Sequence, residues 1–364
     1  MQSYPVAHID LTALQHNFAC VKQFAADSRV MAVVKANGYG HGIVEVARAL
    51  SSSDAFCVAR LAEALQLREA AIQQPIVILE GVNTAGDLQL AADNELSVVF
   101  TTLLQVELAV STSLTKALMF CWIMVETGMH RLGIPAEKLE QAIQNLNRTD
   151  NISGSIGLMS HFANADLLGD KRNQQQLDRI MHCAKHYDLA VSMANSAAIL
   201  SLPDSHADWV RPGIMLYGCS PFETQSAHSL NLKPVMKLTS TLIAIQNLQA
   251  GDEVGYGGDW IADHAMRIGI VSIGYGDGYN RQLSNSGLVV IADNVVAVLG
   301  RVSMDMIAID LSHVLGAKVG DEVILWGCEQ LAIDSIAKQA NTISYELLSQ
   351  INERVSREYH HGED

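Results

Sequence analysis

VVKANGYGHG, residues 33–42, joins an apolar run to a lysine and then to a glycine-rich turn carrying one tyrosine. The apolar residues 30–34 read as a buried parallel strand. Lys35 then stands at the strand's carboxyl end, where α/β folds gather their active sites. Burial disfavours an ammonium ion and lowers the lysine pKa, which leaves an amine able to form a Schiff base. A lysine in a strand-to-helix loop is otherwise a surface charge, so its role turns on the rest of the chain.

Outward from this stretch, apolar runs alternate with helix-like periodic segments. Upstream, Leu11, Leu14, Phe18, Val21 and Ala25 form one stripe at three- and four-residue steps behind Asp10, which predicts an opening helix. Candidate strands fall at 30–35, 54–58, 75–79, 96–100, 119–125, 156–160, 189–193 and 213–217, with helical patterns between most of them. Eight βα units predict a closed (β/α)8 TIM-type barrel, an α/β fold, over residues 9–230. An open doubly wound sheet also alternates, but rarely needs so many units.

Beyond the polar stretch SPFETQSAHSLNLKP the pattern changes to glycine turns and apolar alternation, with weak helical signals only at 331–340 and 344–352. Residues 231–364 are therefore expected to form a β-rich C-terminal domain. PVAHIDL has no partner in a barrel counted from residue 30, so residues 1–8 are expected to join that second domain as a strand.

A chain of 364 residues is long enough for a barrel plus a second module. Its net charge of −15, from 24 basic and 39 acidic side chains, argues against a nucleic-acid or anionic-membrane partner and leaves a small metabolite. The six cysteines show no CxxC pair or metal-ligand spacing and read as reduced core thiols, with no metal site expected. MQSYPVAHIDL lacks a basic segment followed by an apolar one, and no apolar run reaches the roughly 18 residues of a membrane span, so the expected location is the cytoplasm.

Ten segments carry a resemblance: VVKANGYGHG, FCVARLAEALQLREA, VETGMHRLG, SHFANAD, NSAAIL, WVRPGIMLYG, GYGGDW, GYGDGY, GRVSMDM and SYELL, in that order between residues 33 and 348. Together they resemble the bacterial alanine racemases. That resemblance implies a (β/α)8 barrel with a β-rich C-terminal domain, the cofactor pyridoxal 5'-phosphate (PLP), alanine as substrate and a head-to-tail homodimer with shared active sites. It also implies a supply of D-alanine for peptidoglycan.

By the same resemblance, Lys35 matches the lysine that holds PLP and acts as a base on one face of the substrate Cα. Tyr256 matches a second base on the opposite face; a tyrosine in a glycine-rich loop is otherwise a turn aromatic. Lys35 would take the α-proton of D-alanine and Tyr256 that of L-alanine. Arg211 matches an arginine facing the cofactor's pyridine nitrogen, where a guanidinium only donates hydrogen bonds and weakens the electron sink. His161 would lie between Arg211 and Tyr256 as a polarising relay. Arg131 matches an arginine for the cofactor's phenolic oxygen and the substrate carboxylate. Met304 and Asp305 match a loop at that carboxylate, and Tyr275 matches a tyrosine at the site entrance. Tyr39, Ser196, Gly213, Ile214 and Tyr345 fall on phosphate-binding positions, and Asn195 precedes Ser196 at the start of a short apolar helix.

One position departs from the pattern. Many relatives carry a lysine, as its carbamate, two residues before the acid of TGMHRLG, and it neutralises and orients the active-site arginine; here that residue is Met124. A thioether carries no charge, so a bound anion such as chloride, a nearby side chain or ordered water is expected to stand in beside Arg131. Two alternatives stand beside racemisation of alanine: another fold-type III PLP enzyme, such as a broader racemase or a decarboxylase, and a non-catalytic PLP-binding protein. The tyrosine in GYGGDW, with Arg211, argues against a decarboxylase, and the β-rich domain argues against a non-catalytic protein.

Overall fold

The protein is described by a computed structural model that covers residues 4–362; residues 1–3 of the expected N-terminal strand and residues 363–364 lie outside the described part. After β1 (Val6–Asp10) and helix α1 (Leu11–Phe24), eight parallel strands close into a barrel. They are β2 (Arg29–Val33), β3 (Ala55–Val58), β4 (Ile76–Ile78), β5 (Ser97–Phe100), β6 (Leu118–Met124), β7 (Ile152–Met159), β8 (Val191–Ser192) and β9 (Trp209–Val210). Closure is made by β2 and β9, with Arg29 opposite Trp209 and Val30 opposite Val210.

The stripe expected on α1 is buried: Leu11, Leu14, Phe18, Val21 and Ala25 all face the core. Asp10 ends β1 and begins α1, its Oδ1 accepting from the Ala13 N–H at 2.9 Å. One turn along, the buried Asn17 donates from Nδ2 to the carbonyls of Leu216 (3.0 Å) and Lys233 (2.8 Å) and accepts from the Lys233 N–H (2.8 Å). One amide thereby holds the helix to the end of the barrel and to the chain leaving it.

The barrel interior is filled rather than hollow. Trp122 on β6 is fully buried and meets Phe120 and Trp209 edge-on. Its ring occupies the space beside Gly157 on β7, where a Cβ would stand 2.5 Å from the indole. Any side chain at 157 would displace the largest residue of the core.

Two sequence expectations need correcting. The run at 213–217 is not the eighth strand: β9 lies earlier, and Ile214–Tyr217 is a buried 3-10 turn. Pro212 lacks an N–H for the ladder but still accepts from the Val33 N–H (2.9 Å), so pairing ends there and the chain turns. An apolar run of that length does not distinguish a buried strand from a buried turn. The first barrel strand likewise ends at Val33, so Lys35 stands two residues beyond it rather than inside it.

The rest of the chain supplies β10 (Met236–Leu248), β11 (Glu253–Val254), β12 (Trp260–Ile261), β13 (Met266–Val271), β14 (Leu288–Ile291), β15 (Asn294–Leu299), β16 (Ile307–Asp310), β17 (Glu322–Trp326) and β18 (Ser356–His360). Short helices, Ile333–Gln339 and Ser344–Ser349, match the two weak helical signals. The eight-stranded sheet runs β13-β16-β15-β14-β17-β10-β1-β18. In it β1 pairs antiparallel with β10 and parallel with β18, so the first described strand does belong with the C-terminal sheet. Among the described residues no helix is long and apolar enough to cross a membrane.

Because Asp10 serves both the sheet and the first barrel helix, Asp10→Ala is expected to destabilise the protein by about 1 kcal/mol, the usual worth of an N-cap. Asp10→Asn should recover most of the loss. Urea denaturation followed by circular dichroism checks both.

Candidate active site

The turn after β2 has a backbone that few sequences adopt. Ala36, Asn37, Gly38 and Tyr39 all have positive φ, between 51° and 62°, and Gly40 follows at 81°. This single left-handed turn is costly for residues with a Cβ, and side chains around it hold it in place. Asn37 Oδ1 accepts from the Ile43 N–H (2.9 Å), and Glu63 accepts from the N–H groups of Ala36 (2.7 Å) and Ala59 (2.8 Å). Tyr217 donates to the Val33 carbonyl (3.0 Å) and stacks on Tyr39 at 4.6 Å. His41 is buried against the same turn, where burial pushes its pKa down to about 4.

Lys35, at the head of this turn, projects into a cavity of about 520 Å³ at the carboxyl ends of the barrel strands. Burial and, next, the Arg131 guanidinium lower its pKa, while Glu63 and Glu80 act the other way. Tyr39, Arg131, His161, Asn195, Ser196, Arg211, Gly213, Ile214 and Tyr345 line the same cavity, so sequence candidates from across the barrel are gathered in one place.

The floor of the cavity is organised by Arg211, directly after β9 and 5% exposed. Its guanidinium donates to Ser192 Oγ (2.7 Å), the Ser160 carbonyl (2.5 Å) and His161 Nδ1 (3.3 Å). Burial lowers its pKa to about 10, so it stays charged at neutral pH with neutral acceptors only. An arginine cannot accept a hydrogen bond, so His161 Nδ1 must carry a lone pair and the ring proton sits on Nε2. Burial first, then the charges of Arg211, Arg131 and Lys35, pushes the His161 pKa down to about 3.

Where the chain leaves β8 and β9 lies a cradle of hydrogen-bond donors. Asn195 caps the helix Ser196–Ser201, accepting from the Ala198 N–H (3.1 Å). Ser196 Oγ accepts from the N–H groups of Gly213 (2.9 Å) and Met215 (3.3 Å), which leaves its own proton to be donated. Ile214 begins a 3-10 turn, so its N–H has no partner within that turn. A Cβ on Gly213 would stand 2.6 Å from Tyr39 Oη, so only glycine lets the backbone and this phenol approach each other.

The remaining candidates form a second group outside this cavity, in loops of the C-terminal region: Tyr275 and Met304 beside strands of the eight-stranded sheet, Tyr256 between β11 and β12, which pair as a separate two-stranded sheet. Tyr256 lies in the turn Tyr256–Gly258 and is 70% exposed; Tyr275 and Met304 are also exposed. The Tyr275 N–H donates to the Ser303 carbonyl (3.0 Å) and the Gly276 N–H to that of Met304 (2.8 Å), which fixes the two loops side by side. Asp305 pairs with Arg354 at 2.7 Å. Within one chain His161 therefore contacts Arg211 but does not bridge it to Tyr256.

Arg131 sits exposed at the cavity rim beside Met124 and, among the described residues, makes no hydrogen bond or ion pair. Among the described residues no side chain pairs with it in place of the carbamate, and the guanidinium meets solvent rather than an apolar pocket. Sequence reading did not single out Glu63, Tyr217, Ser160 or Ser192. Glu63 left a trace, an acid at the third position of a helix start that reaches back to the Arg60 N–H. The other three show nothing until the strands are side by side.

The arrangement offers a desolvated amine, a donor cradle for an anion, a buried cation for a neutral acceptor and an exposed cation for a carboxylate. Comparison with known proteins agrees with it. Residues 9–221 match the family model described as alanine racemase, N-terminal domain, and residues 235–359 match its C-terminal domain. The chain is 45% identical to the alanine racemase of Nitrosococcus oceani, over 98% of this chain and 99% of that protein. It is 43% identical to that of Aeromonas hydrophila, over 97% and 99%. The crystal structure of the biosynthetic alanine racemase from Pseudomonas aeruginosa superposes with a TM-score of 0.93 at 41% identity, covering 99% of this chain and 100% of that one.

His161 is expected to stay neutral, with its proton on Nε2, from pH 8 down to pH 5, as read by 15N NMR of the imidazole. An unfolded chain protonates this histidine near its ordinary 6.5 while the native one waits until about 3. The group's contribution to stability should therefore fall as pH drops through that window. Titration near 6.5 in the native protein would contradict the assignment.

Proposed function

The chain belongs to the alanine racemase family, and on that premise we propose that it interconverts L-alanine and D-alanine on PLP, with Lys35 and Tyr256 as the two bases. The observation that carries the reading is the Arg211 guanidinium, buried, charged and bonded only to neutral acceptors. When bound, PLP supplies the electron sink that acidifies the Cα proton of an attached amino acid. A donor-only cation facing the ring nitrogen keeps that sink weak, which favours return of the proton to Cα over further chemistry.

The residues present fit the cofactor. Its aldehyde suits the desolvated amine of Lys35, and its phosphate suits the Ser196 hydroxyl, the Ile214 N–H and the phenols of Tyr39 and Tyr345 around Gly213. Arg131 binds the substrate carboxylate. The ε-amine of Lys35 removes or returns the proton on the D side of Cα, and the Tyr256 phenol does so on the L side.

Those two groups do not share a cavity in one chain. Tyr256, Tyr275 and Met304 are exposed, which supports a homodimer in which Tyr256 of the partner subunit covers the barrel mouth holding Lys35. We divide the chain into a PLP-binding barrel at 9–230 and a C-terminal unit at 231–364 joined by the N-terminal strand. We also read it as a cytoplasmic supplier of D-alanine for peptidoglycan, an assignment in keeping with six free cysteines. Solvent or a bound anion is the partner of Arg131 in place of the carbamate.

Tyr256→Phe is expected to abolish solvent deuterium exchange from L-alanine far more than from D-alanine; equal losses would overturn the two-base assignment. Lys35→Ala and Tyr256→Phe, each inactive alone, should recover about a quarter of wild-type activity when dissociated and reassociated together. Random pairing makes half the dimers mixed, each with one intact site. No recovery in dimers shown to have exchanged subunits would place both bases in one chain.

A further inference from the structure

The edge of the C-terminal sheet carries a cluster of imidazole and carboxylate that the racemase chemistry does not use. His8 on β1 is paired in register with Glu358 on the parallel edge strand β18, and His360 follows two residues later on the same face. One donor atom from each of the three lies within 4.8 Å of the others. We propose that His8, Glu358 and His360 form a binding site for a divalent transition-metal cation, best suited to Zn²⁺.

The geometry is that of ligands awaiting an ion. Zinc held by imidazole at about 2.0–2.1 Å has tetrahedral edges of about 3.3–3.4 Å. His8 Nδ1 lies 3.4 Å from His360 Nε2 and 3.6 Å from Glu358 Oε2. His8 is oriented from behind: its Nε2 lies 3.0 Å from Thr239 Oγ1 on β10. Donation there puts the ring proton on Nε2 and turns the Nδ1 lone pair toward the other two residues, the arrangement found behind metal-bound histidines. The nearest cation on this face, Lys237, is already paired with Glu322 at 3.0 Å. β18 is the last strand of the sheet and His360 is exposed, so an ion reaches the site from solvent and keeps an open position for water.

The opposite face of the same strand braces the catalytic turn. Arg357 donates from Nε to the Gly40 carbonyl (2.7 Å), and a Cβ on Gly42 would stand 2.0 Å from Tyr359 Oη. A cation bridging β1 and β18 would therefore clamp the strand against which the turn after Lys35 packs.

The test is isothermal titration of the metal-stripped holoenzyme with Zn²⁺ alone, together with thermal denaturation and Co²⁺ absorption spectroscopy. Wild type is expected to bind one equivalent per chain at or below about 10 µM, to melt higher when Zn²⁺ is in excess, and to give the intense visible bands of tetrahedral Co²⁺. His360→Gln on the exposed edge should weaken binding at least about tenfold and remove the thermal shift, while His361→Gln changes neither. His8→Gln should behave like His360→Gln; if it fails to fold, the edge variant alone decides. Equal affinity in wild type and His360→Gln, or no binding at about 100 µM Zn²⁺, would overturn the proposal.

Discussion

A guanidinium buried without a counter-ion is the constraint around which the active site is built. Leaving Arg211 unsolvated would cost on the order of several kcal/mol, and the protein meets that cost with acceptors drawn from neighbouring strand ends. Ser160 follows β7, Ser192 lies in β8, and Arg211 itself follows β9. One side chain thus ties together the ends of three successive strands, the last of them, β9, being the neighbour of the β2 that leads to Lys35. The same bonds decide the His161 tautomer and, with the nearby positive charges, keep that ring neutral.

Around Lys35 itself the constraint is conformational. Five consecutive residues with positive φ, three of them not glycine, persist only where surrounding contacts over-determine them. Glu63 and Tyr217 hold the turn from the barrel side, and Arg357 and Tyr359 hold it from the C-terminal sheet. The sheet is therefore part of the apparatus that aims Lys35, and Asp10, shared by β1 and α1, joins sheet and barrel covalently where they meet.

The C-terminal region carries a second group of side chains outward, on loops of this sheet and on the turn of the separate β11–β12 ribbon. Loops bearing Tyr275 and Met304 are bonded backbone to backbone, and Tyr256 stands exposed in a glycine turn. Large side chains held on ordered loops and left in solvent suit burial against a second surface.

How much of this was legible in the chain differed by element. Periodicity alone located α1, the barrel strands to within a few residues, and the change to β structure after the barrel, because burying one face of a helix or strand imposes a fixed spacing. It misread residues 213–217, since an apolar run records burial and not backbone shape. Ordered motifs picked out Lys35, Arg211, Ser196, Gly213 and Ile214 as candidates before it was known that they line one cavity. Only the folded structure showed that Ser160 and Ser192 neutralise nothing yet satisfy Arg211, that Glu63 and Tyr217 hold the lysine turn, and that Tyr256 stands apart from Lys35 in its own chain. Those facts depend on which strand ends and loops come together, and nothing in the local order of residues encodes that proximity.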